Sequence, residues 1–357
     1  SGMAMLASYG RLLSSAWQVS PVGRVDATHS LLRLGCIGDE ESFRALCLGA
    51  VHHCLSAYCG PRPPGAAIER FAAAHVDRAV GGSADSVAAV AVPRWAEISG
   101  ERTTLDVCHL QMPAAAAHGN TTFGRAESSR RRQPFPDAER CNAAVLLHAT
   151  GGTRALDDLD NIVQDVLPRL AERRVPVVLA GVVDISELQG GRFAAVGTCA
   201  RWRHHYVKAA SQRPGHVYAL DFFCAQDPWG CFNLLYRAQM SALYPLGRCF
   251  TAAGREAFAP TQQLLAAAAV IFEACDKDCD GVWARNDWSA FWEVVYGRRP
   301  SAEEADELDA AKLFGASEER LVQWFLELAA EGRGDALWAC LRAFGYDGML
   351  RRQGVGP

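Results

Sequence analysis

Short apolar segments alternate with helical patterns between residues 140 and 245, and this alternation restricts the fold more than any other feature of the sequence. NAAVLLHAT (142–150) and VPVVLAGVV (175–183) have the length and composition of buried strands, and an amphipathic segment (156–174) separates them. Strands that are apolar on both faces are typical of a parallel sheet covered by helices. This region is therefore predicted to be an α/β domain with a largely parallel sheet.

Neighbouring segments extend the same pattern. Strands are predicted at 87–98, 103–110 and 216–223, and a helix at 231–243. Beyond about residue 246 the pattern is helical only, which indicates a second region of a different class.

These segments predict a chain of two domains and a short tail. Residues 1–245 form the α/β domain, with insertions at about 41–85 and 113–140. Residues 246–350 form an all-α region, and 351–357 are a tail.

The helical region contains DKDCDGVWARND (276–287), which has the pattern of a twelve-residue EF-hand loop. Its predicted metal ligands are the carboxylates at the first, third, fifth and twelfth positions and the carbonyl oxygen at the seventh: Asp276, Asp278, Asp280, Asp287 and Val282. Gly281 occupies the sixth position, where the chain turns sharply. Helical segments flank the loop on both sides, so an acidic surface turn is the less favoured interpretation.

Two positions of this loop predict a weak site. Asp287 stands where a longer, bidentate glutamate is usual, and Ala284 gives the ninth position no side-chain oxygen. The shorter carboxylate reaches the metal less easily with both oxygens, so Mg²⁺ competes better with Ca²⁺. The expected cofactor is therefore Ca²⁺ or Mg²⁺ at one weak site.

Composition limits the compartment and the partners. The 357 residues carry a net charge of −4, and 50% are hydrophobic, which is typical of a folded chain without a basic surface for nucleic-acid readout. No apolar run reaches the roughly 18 residues that a transmembrane helix needs. The 13 cysteines lack paired spacing, which indicates reduced thiols in an intracellular, reducing compartment.

A zinc site is an alternative interpretation of one cluster in the first domain. His52, His53, Cys54 and Cys59 lie close together in sequence, but no second ligand pair stands nearby. We interpret ESFRALCLGAVHHCLSAY (41–58) as an ordinary helix.

Several segments together resemble one family. LDNIVQDVLPRLAERR followed by VPVVLAG (159–181) resembles the third helix and fifth strand of Rho-type GTPases. LLYRAQMSALYP (234–245), the EF-hand loop and GDALWACLRAFGYDGML (334–350) resemble the mitochondrial Rho GTPases known as Miro. The resemblance covers roughly 140–350 and, more weakly, the first 110 residues. It implies a small-GTPase-like domain of the P-loop NTPase type, followed by an EF-hand pair, and it implies association with mitochondria.

The family's nucleotide-binding motifs are degenerate where we match them. A P-loop, GxxxxGK[ST], is matched at VGRVDATHSLL (22–32), where Ala27, Thr28 and His29 replace the second glycine, the lysine and the magnesium-binding hydroxyl. The remaining matches keep an aspartate or nothing of the motif, and they are centred on Asp106, Asp184 and Gln226. Loss of phosphate, magnesium and base recognition together predicts a pseudo-GTPase that binds no GTP.

The resemblance also implies a partner for the EF-hand. A helix from Ser301 towards Phe314 and the segment after it would form a second, ligand-free EF-hand, with Val282-Trp283 facing Arg320-Leu321-Val322. The final helix, ALWACLRAF (336–344), would fill the groove of the pair with Leu337, Trp338 and Leu341.

Three functions remain open from the sequence. A groove filled by its own chain favours a non-catalytic scaffold within a larger assembly of unknown protein partners. A calcium-responsive adaptor is the alternative, and an active GTPase with unorthodox motifs ranks third.

Overall fold

In a computed structural model of the chain, the described residues are 29–58, 89–92, 102–111, 141–151, 155–183, 192–212, 214–224, 227–251, 258–302, 305–306, 309 and 313–353. They divide into two compact units. The first is formed by the described residues of 1–175, 179–199 and 221–239, and the second by those of 176–178, 200–220 and 240–357. The predicted boundary near residue 246 stays a prediction.

A six-stranded sheet is formed by β1 (His29–Gly38), β2 (Ala89–Val92), β3 (Arg102–Gln111), β4 (Ala143–Ala149), β5 (Val177–Val183) and β6 (Val217–Cys224). Their order across the sheet is β2-β3-β1-β4-β5-β6. Strand β1 is parallel to both β3 and β4, and β2 runs antiparallel to β3 at the edge. Five strands are therefore parallel, which confirms the predicted α/β class.

Helices connect the strands in the manner of an α/β fold. They are α1 (Glu40–Tyr58), α2 (Ala155–Asn161, a π-helical stretch Ile162–Val166 and Leu167–Glu172), α3 (Arg192–Gln212) and α4 (Pro228–Leu243). In α2 the buried positions recur at helical spacing, whereas its aspartates face solvent; the buried side chains include those of Leu159, Ile162, Val163, Val166 and Leu170. Residues 143–147 of β4 are buried without alternation, as expected for a strand with helices on both faces.

The first helix corrects one predicted boundary. An insertion was predicted at 41–85, but residues 41–58 belong to α1, the regular helix that follows β1. This outcome agrees with the helical interpretation of the histidines in that segment. Residues 59–85 and most of the insertion predicted at 113–140 lie outside the described residues.

The C-terminal helices belong to the second unit. They are α5 (Gln262–Cys275), α6 (Arg285–Tyr296), α7 (Glu318–Ala330) and α8 (Gly334–Ala343), after a short ladder of β7 (Phe250–Thr251) and β8 (Ala259–Pro260). Thr261 caps α5 by accepting a hydrogen bond from the Leu264 N–H at 3.2 Å. The helix predicted after Ser301 is described only in part, where the Ala305 N–H donates to the Ser301 carbonyl.

One predicted backbone pairing is wrong in register. Trp283 forms a bridge with Ala316. The Trp283 N–H donates to the Ala316 carbonyl, and the Gly315 N–H donates to the Trp283 carbonyl, both at 2.8 Å. Residues 320–322, predicted to face it, lie inside α7, where backbone groups bond within the helix. The pairing therefore forms just before that helix begins.

Candidate functional sites

The connection from β1 to α1 is the position where a nucleotide-binding α/β domain holds phosphate. A P-loop supplies several residues here, so that backbone N–H groups at the helix N-terminus can approach the phosphates. In this chain β1 ends at Gly38, α1 begins at Glu40, and Asp39 is the whole connection. No loop of P-loop length separates strand and helix.

Asp39 occupies the N-terminus of α1 with its own carboxylate. Its Oδ1 accepts a hydrogen bond from the Ser42 N–H, and its Oδ2 accepts one from the Ser42 hydroxyl, both at 2.7 Å. The Phe43 N–H donates to the Asp39 carbonyl at 3.1 Å, which is the first helical bond. The chain's own anion thus uses the donors and the positive end of the helix dipole that would attract a phosphate.

His109 of β3 and Phe43 of α1 pack together at the same position. His109 Nε2 lies 3.0 Å from the Gly38 carbonyl oxygen, and its imidazole stacks on the buried Phe43 ring with centroids 4.9 Å apart. The contact between His109 and Gly38 joins residues that are 71 positions apart in sequence. The end of β1 is therefore packed by side chains of the protein itself.

The predicted P-loop lies in the wrong place. His29 is the first residue of β1, so the segment 22–32 leads into a strand, whereas a P-loop leads into a helix; Ala27 and Thr28 lie outside the described residues. Counted from Gly38, the pattern would need glycine, lysine and a hydroxyl at the positions that hold Phe43, Arg44 and Ala45.

Of the other three matched motifs, one lies at a position that does not fit its predicted role, and the remaining two stay predictions. Asp106, matched to a turn after a strand, lies inside β3. Asp184 and Gln226 lie outside the described residues, just after β5 and shortly after β6 respectively. In sequence, both residues follow the carboxyl end of a strand, and α/β domains bind ligands at such strand ends.

Asp39→Ala is expected to destabilise the first unit by about 1 kcal/mol, because the helix loses its cap and the Ser42 N–H loses its acceptor. Urea unfolding followed by far-ultraviolet circular dichroism measures this change. Asp39→Asn keeps a capping oxygen and serves as the matched control, with a smaller expected loss. Equal stability of Asp39→Ala and the unmodified chain would contradict the capping role.

The second candidate site is the loop between α5 and α6. One carboxylate oxygen from each of Asp276, Asp278 and Asp280 lies within 4.8 Å of the others, and no further such acidic, histidine or cysteine cluster occurs among the described residues. The structure thus brings the three aspartates together, and their role as metal ligands stays a prediction. Oxygen donors in this number and spacing match the preference of a hard divalent cation.

Backbone hydrogen bonds shape this loop. Asp276 Oδ2 accepts from the Gly281 N–H at 3.0 Å, and Asp280 Oδ1 accepts from the Val282 N–H at 2.8 Å. Gly281 has a φ of +80°, a conformation that costs glycine little and other residues more. The sharp turn predicted for the sixth position is therefore present, and each of these aspartates keeps one oxygen outside these bonds.

One oxygen of this cluster fits a cation in particular. Asp276 is only 8% exposed, and its buried Oδ1 has no hydrogen-bond partner among the described residues. A buried carboxylate oxygen without a partner is costly, and a bound cation would compensate it. Partial desolvation and then the neighbouring Asp280 carboxylate raise the pKa of Asp278 above its ordinary value.

The other two predicted ligands are arranged differently. Asp287 is buried, and its Oδ2 accepts a hydrogen bond from the Ala284 N–H at 2.9 Å, so this oxygen caps α6. The other carboxylate oxygen of Asp287 lies outside this bond, and its role as a metal ligand stays a prediction. The contribution of the Val282 carbonyl stays a prediction.

The three predicted anchors of the last helix are buried. Leu337 and Leu341 are fully inaccessible, and Trp338 is 1% exposed. Trp338 packs against Tyr244 with ring centroids 5.3 Å apart, and Phe344 at the end of α8 stacks on Phe291 of α6 at 5.8 Å. Helix α8 thus packs against α6 and also contacts α7.

Asp39, Phe43 and His109 were missed in the sequence interpretation. The apolar run LLRLGCIG (31–38) followed by Asp39 is a strand followed by a helix cap, a signal that could have located the connection. The sequence around His109 gives no local indication of its contacts with Gly38 and Phe43.

Comparisons with known proteins assign no function to these sites. In the described part of the chain, no helix combines the length and apolar character needed to cross a bilayer. No protein-family model matches the chain, and a search of curated proteins finds no significant match.

Proposed function

We propose that this chain is a non-catalytic, small-GTPase-like protein that serves as a scaffold in a larger assembly, with Miro as the family it resembles. The closed connection between β1 and α1 carries the proposal. The sheet order, with an antiparallel β2 at the edge, is compatible with a small-GTPase-like domain. The position for phosphate is occupied by the Asp39 carboxylate and by the packing of His109 on Phe43.

The chemistry of phosphate binding supports this reading. Catalysis of phosphoryl transfer depends on positioning the phosphates and neutralising their charge, which requires backbone donors, a lysine and a magnesium ligand. Asp39 adds a negative charge at the point where a phosphate oxygen would sit, and like charges repel at short distance. Exposed Arg44 supplies a cation, but no backbone cradle accompanies it.

We expect the purified protein to carry no guanine nucleotide and to bind none. Denaturation followed by ion-exchange chromatography measures nucleotide that copurifies, and calorimetry with GTP and GDP in the presence of Mg²⁺ measures binding. A competent small GTPase carried through the same steps is the control. Stoichiometric nucleotide in the chain would overturn the proposal and favour the third function, an unorthodox GTPase.

The helical unit is proposed to be an EF-hand pair with one cation site and with α8 in its groove. The bridge between Trp283 and Ala316 joins the cation loop to the segment before α7, as paired EF-hand loops are joined. The burial of Leu337, Trp338 and Leu341 supports a groove that is already filled. Such a unit stabilises a scaffold and has little surface left to expose.

The calcium-responsive adaptor is the second candidate, and the unpartnered Oδ1 of buried Asp276 favours it, because that oxygen indicates cation binding. The two candidates differ in what a cation does to α8. In the scaffold, Ca²⁺ leaves the binding of a hydrophobic dye unchanged. In the adaptor, Ca²⁺ displaces α8, and dye fluorescence rises.

A further inference from the structure

A groove of about 490 Å³ lies in the helical unit where the end of α5, the second half of α6 and the end of α8 meet. Its apolar surface comes from buried Cys275, half-buried Phe344 and Val294, which is 49% exposed. Alanines line the remainder at 274, 290 and 343, and their short side chains leave the groove open. Leu337, Trp338 and Leu341, the anchors of α8, do not line this groove.

Charged side chains surround this apolar surface. Of the charged residues that line the groove, Lys277 and Arg352 are positive and Glu293 is negative, and all three are exposed. Complementary charge beside an apolar surface directs partner choice and speeds association.

Arg352 is held in place by the segment that follows α8. Tyr346 and Arg352 form an antiparallel bridge, and the Gln353 N–H donates to the Gly345 carbonyl at 2.7 Å. Asp347 Oδ1 accepts from the Met349 and Arg351 N–H groups, each at 2.9 Å. The backbone of Arg352 thus belongs to a hydrogen-bonded turn, so less backbone entropy is lost there when a partner binds.

We propose that this groove docks a peptide segment of another protein in which a large apolar side chain lies next to a carboxylate. The apolar side chain packs on Cys275, Phe344 and Val294, and the carboxylate lies near Lys277 and Arg352. The inference deepens the scaffold proposal, because it names a class of partner for it.

The test selects peptides from a random dodecapeptide phage library on the full chain, in EDTA and without nucleotide. The most enriched peptide is then labelled with fluorescein, and fluorescence anisotropy measures its affinity. Under these conditions the chain holds neither a divalent cation nor nucleotide, so the result does not depend on nucleotide binding, and this proposal and the scaffold proposal fail separately.

Enriched peptides are expected to share an acidic residue beside leucine, isoleucine, phenylalanine or methionine. Arg352→Glu reverses one charge, and Ala274→Trp fills the groove without changing charge; each is expected to weaken binding by about tenfold or more. Lys208→Glu is the matched charge reversal on α3, outside the groove, and leaves the affinity unchanged. Thermal unfolding of each variant checks that it folds. If one groove variant does not fold, the other alone provides the test.

Three results would overturn the proposal. They are the absence of any enriched peptide, enrichment of basic or uncharged sequences, and binding that survives in folded Ala274→Trp.

Discussion

Trp338→Ala is expected to lower the free energy of unfolding by about 3–5 kcal/mol, the usual cost of removing a large aromatic side chain from a core. Trp338 is 1% exposed, and the truncation leaves a cavity beside the Tyr244 ring. Chemical denaturation followed by circular dichroism measures the loss. Trp229→Ala removes the same side chain from a position that is 57% exposed, so it is the matched control with a small effect.

A second substitution separates packing from hydrogen bonding at this position. The Trp338 indole N–H has no acceptor among the described residues, so Trp338→Phe breaks no such bond. It keeps an aromatic ring against Tyr244 and is expected to cost clearly less than alanine. A Trp338→Ala variant as stable as the Trp229→Ala control would show that α8 does not anchor the helical unit, and the adaptor would become the better proposal.

Asp276→Ala is expected to abolish cation binding measurable by calorimetry. Asp276 supplies both the unpartnered Oδ1 and the Oδ2 that holds the Gly281 N–H, so its loss removes a ligand and loosens the turn. In the unmodified chain, titration with Ca²⁺ and with Mg²⁺ should give at most one site, with a dissociation constant above about 1 μM, because Asp287 has one oxygen engaged with α6.

Glu273→Ala is the control for this experiment, since it removes the same charge from the exposed face of α5 outside the loop. Its titration should match that of the unmodified chain. Two sites, or submicromolar affinity for Ca²⁺, would contradict the reasoning from the short twelfth ligand.

Local patterns explain which parts of the fold were predictable. β4, α2, β5 and α4 were predicted to within a few residues, because strands buried on both faces and a helix with one buried stripe are visible in a short window. Strand β1 was missed because a glycine and an arginine interrupt its apolar run LLRLGCIG.

Helix α3 was missed for a related reason. Its sequence mixes cations with apolar residues, which hides the helical period. Buried Trp202, Tyr206 and Ala209 nevertheless follow the spacing of a single helix face.

The two candidate sites also differ in how far they could be predicted from local sequence. The aspartate cluster was predictable because all of its carboxylates belong to one continuous loop, whose turn and spacing are local properties. The closed phosphate position was not predictable, because it depends on the register that brings β3 beside β1 and His109 to Gly38. Long-range register of this kind is set by the packing of the whole sheet.

The start of α8 has a consequence for how the chain unfolds. Arg333 forms an antiparallel bridge with Ala219 of β6, and a side chain at Gly334 would come within 2.9 Å of the Tyr218 carbonyl oxygen. The last helix and residues 217–220 of β6 are therefore expected to open together, and their amides should share one opening free energy in native-state hydrogen exchange. A fragment that begins at residue 246 loses the strand on which α8 begins, and its helices should exchange faster than the same helices in the full chain.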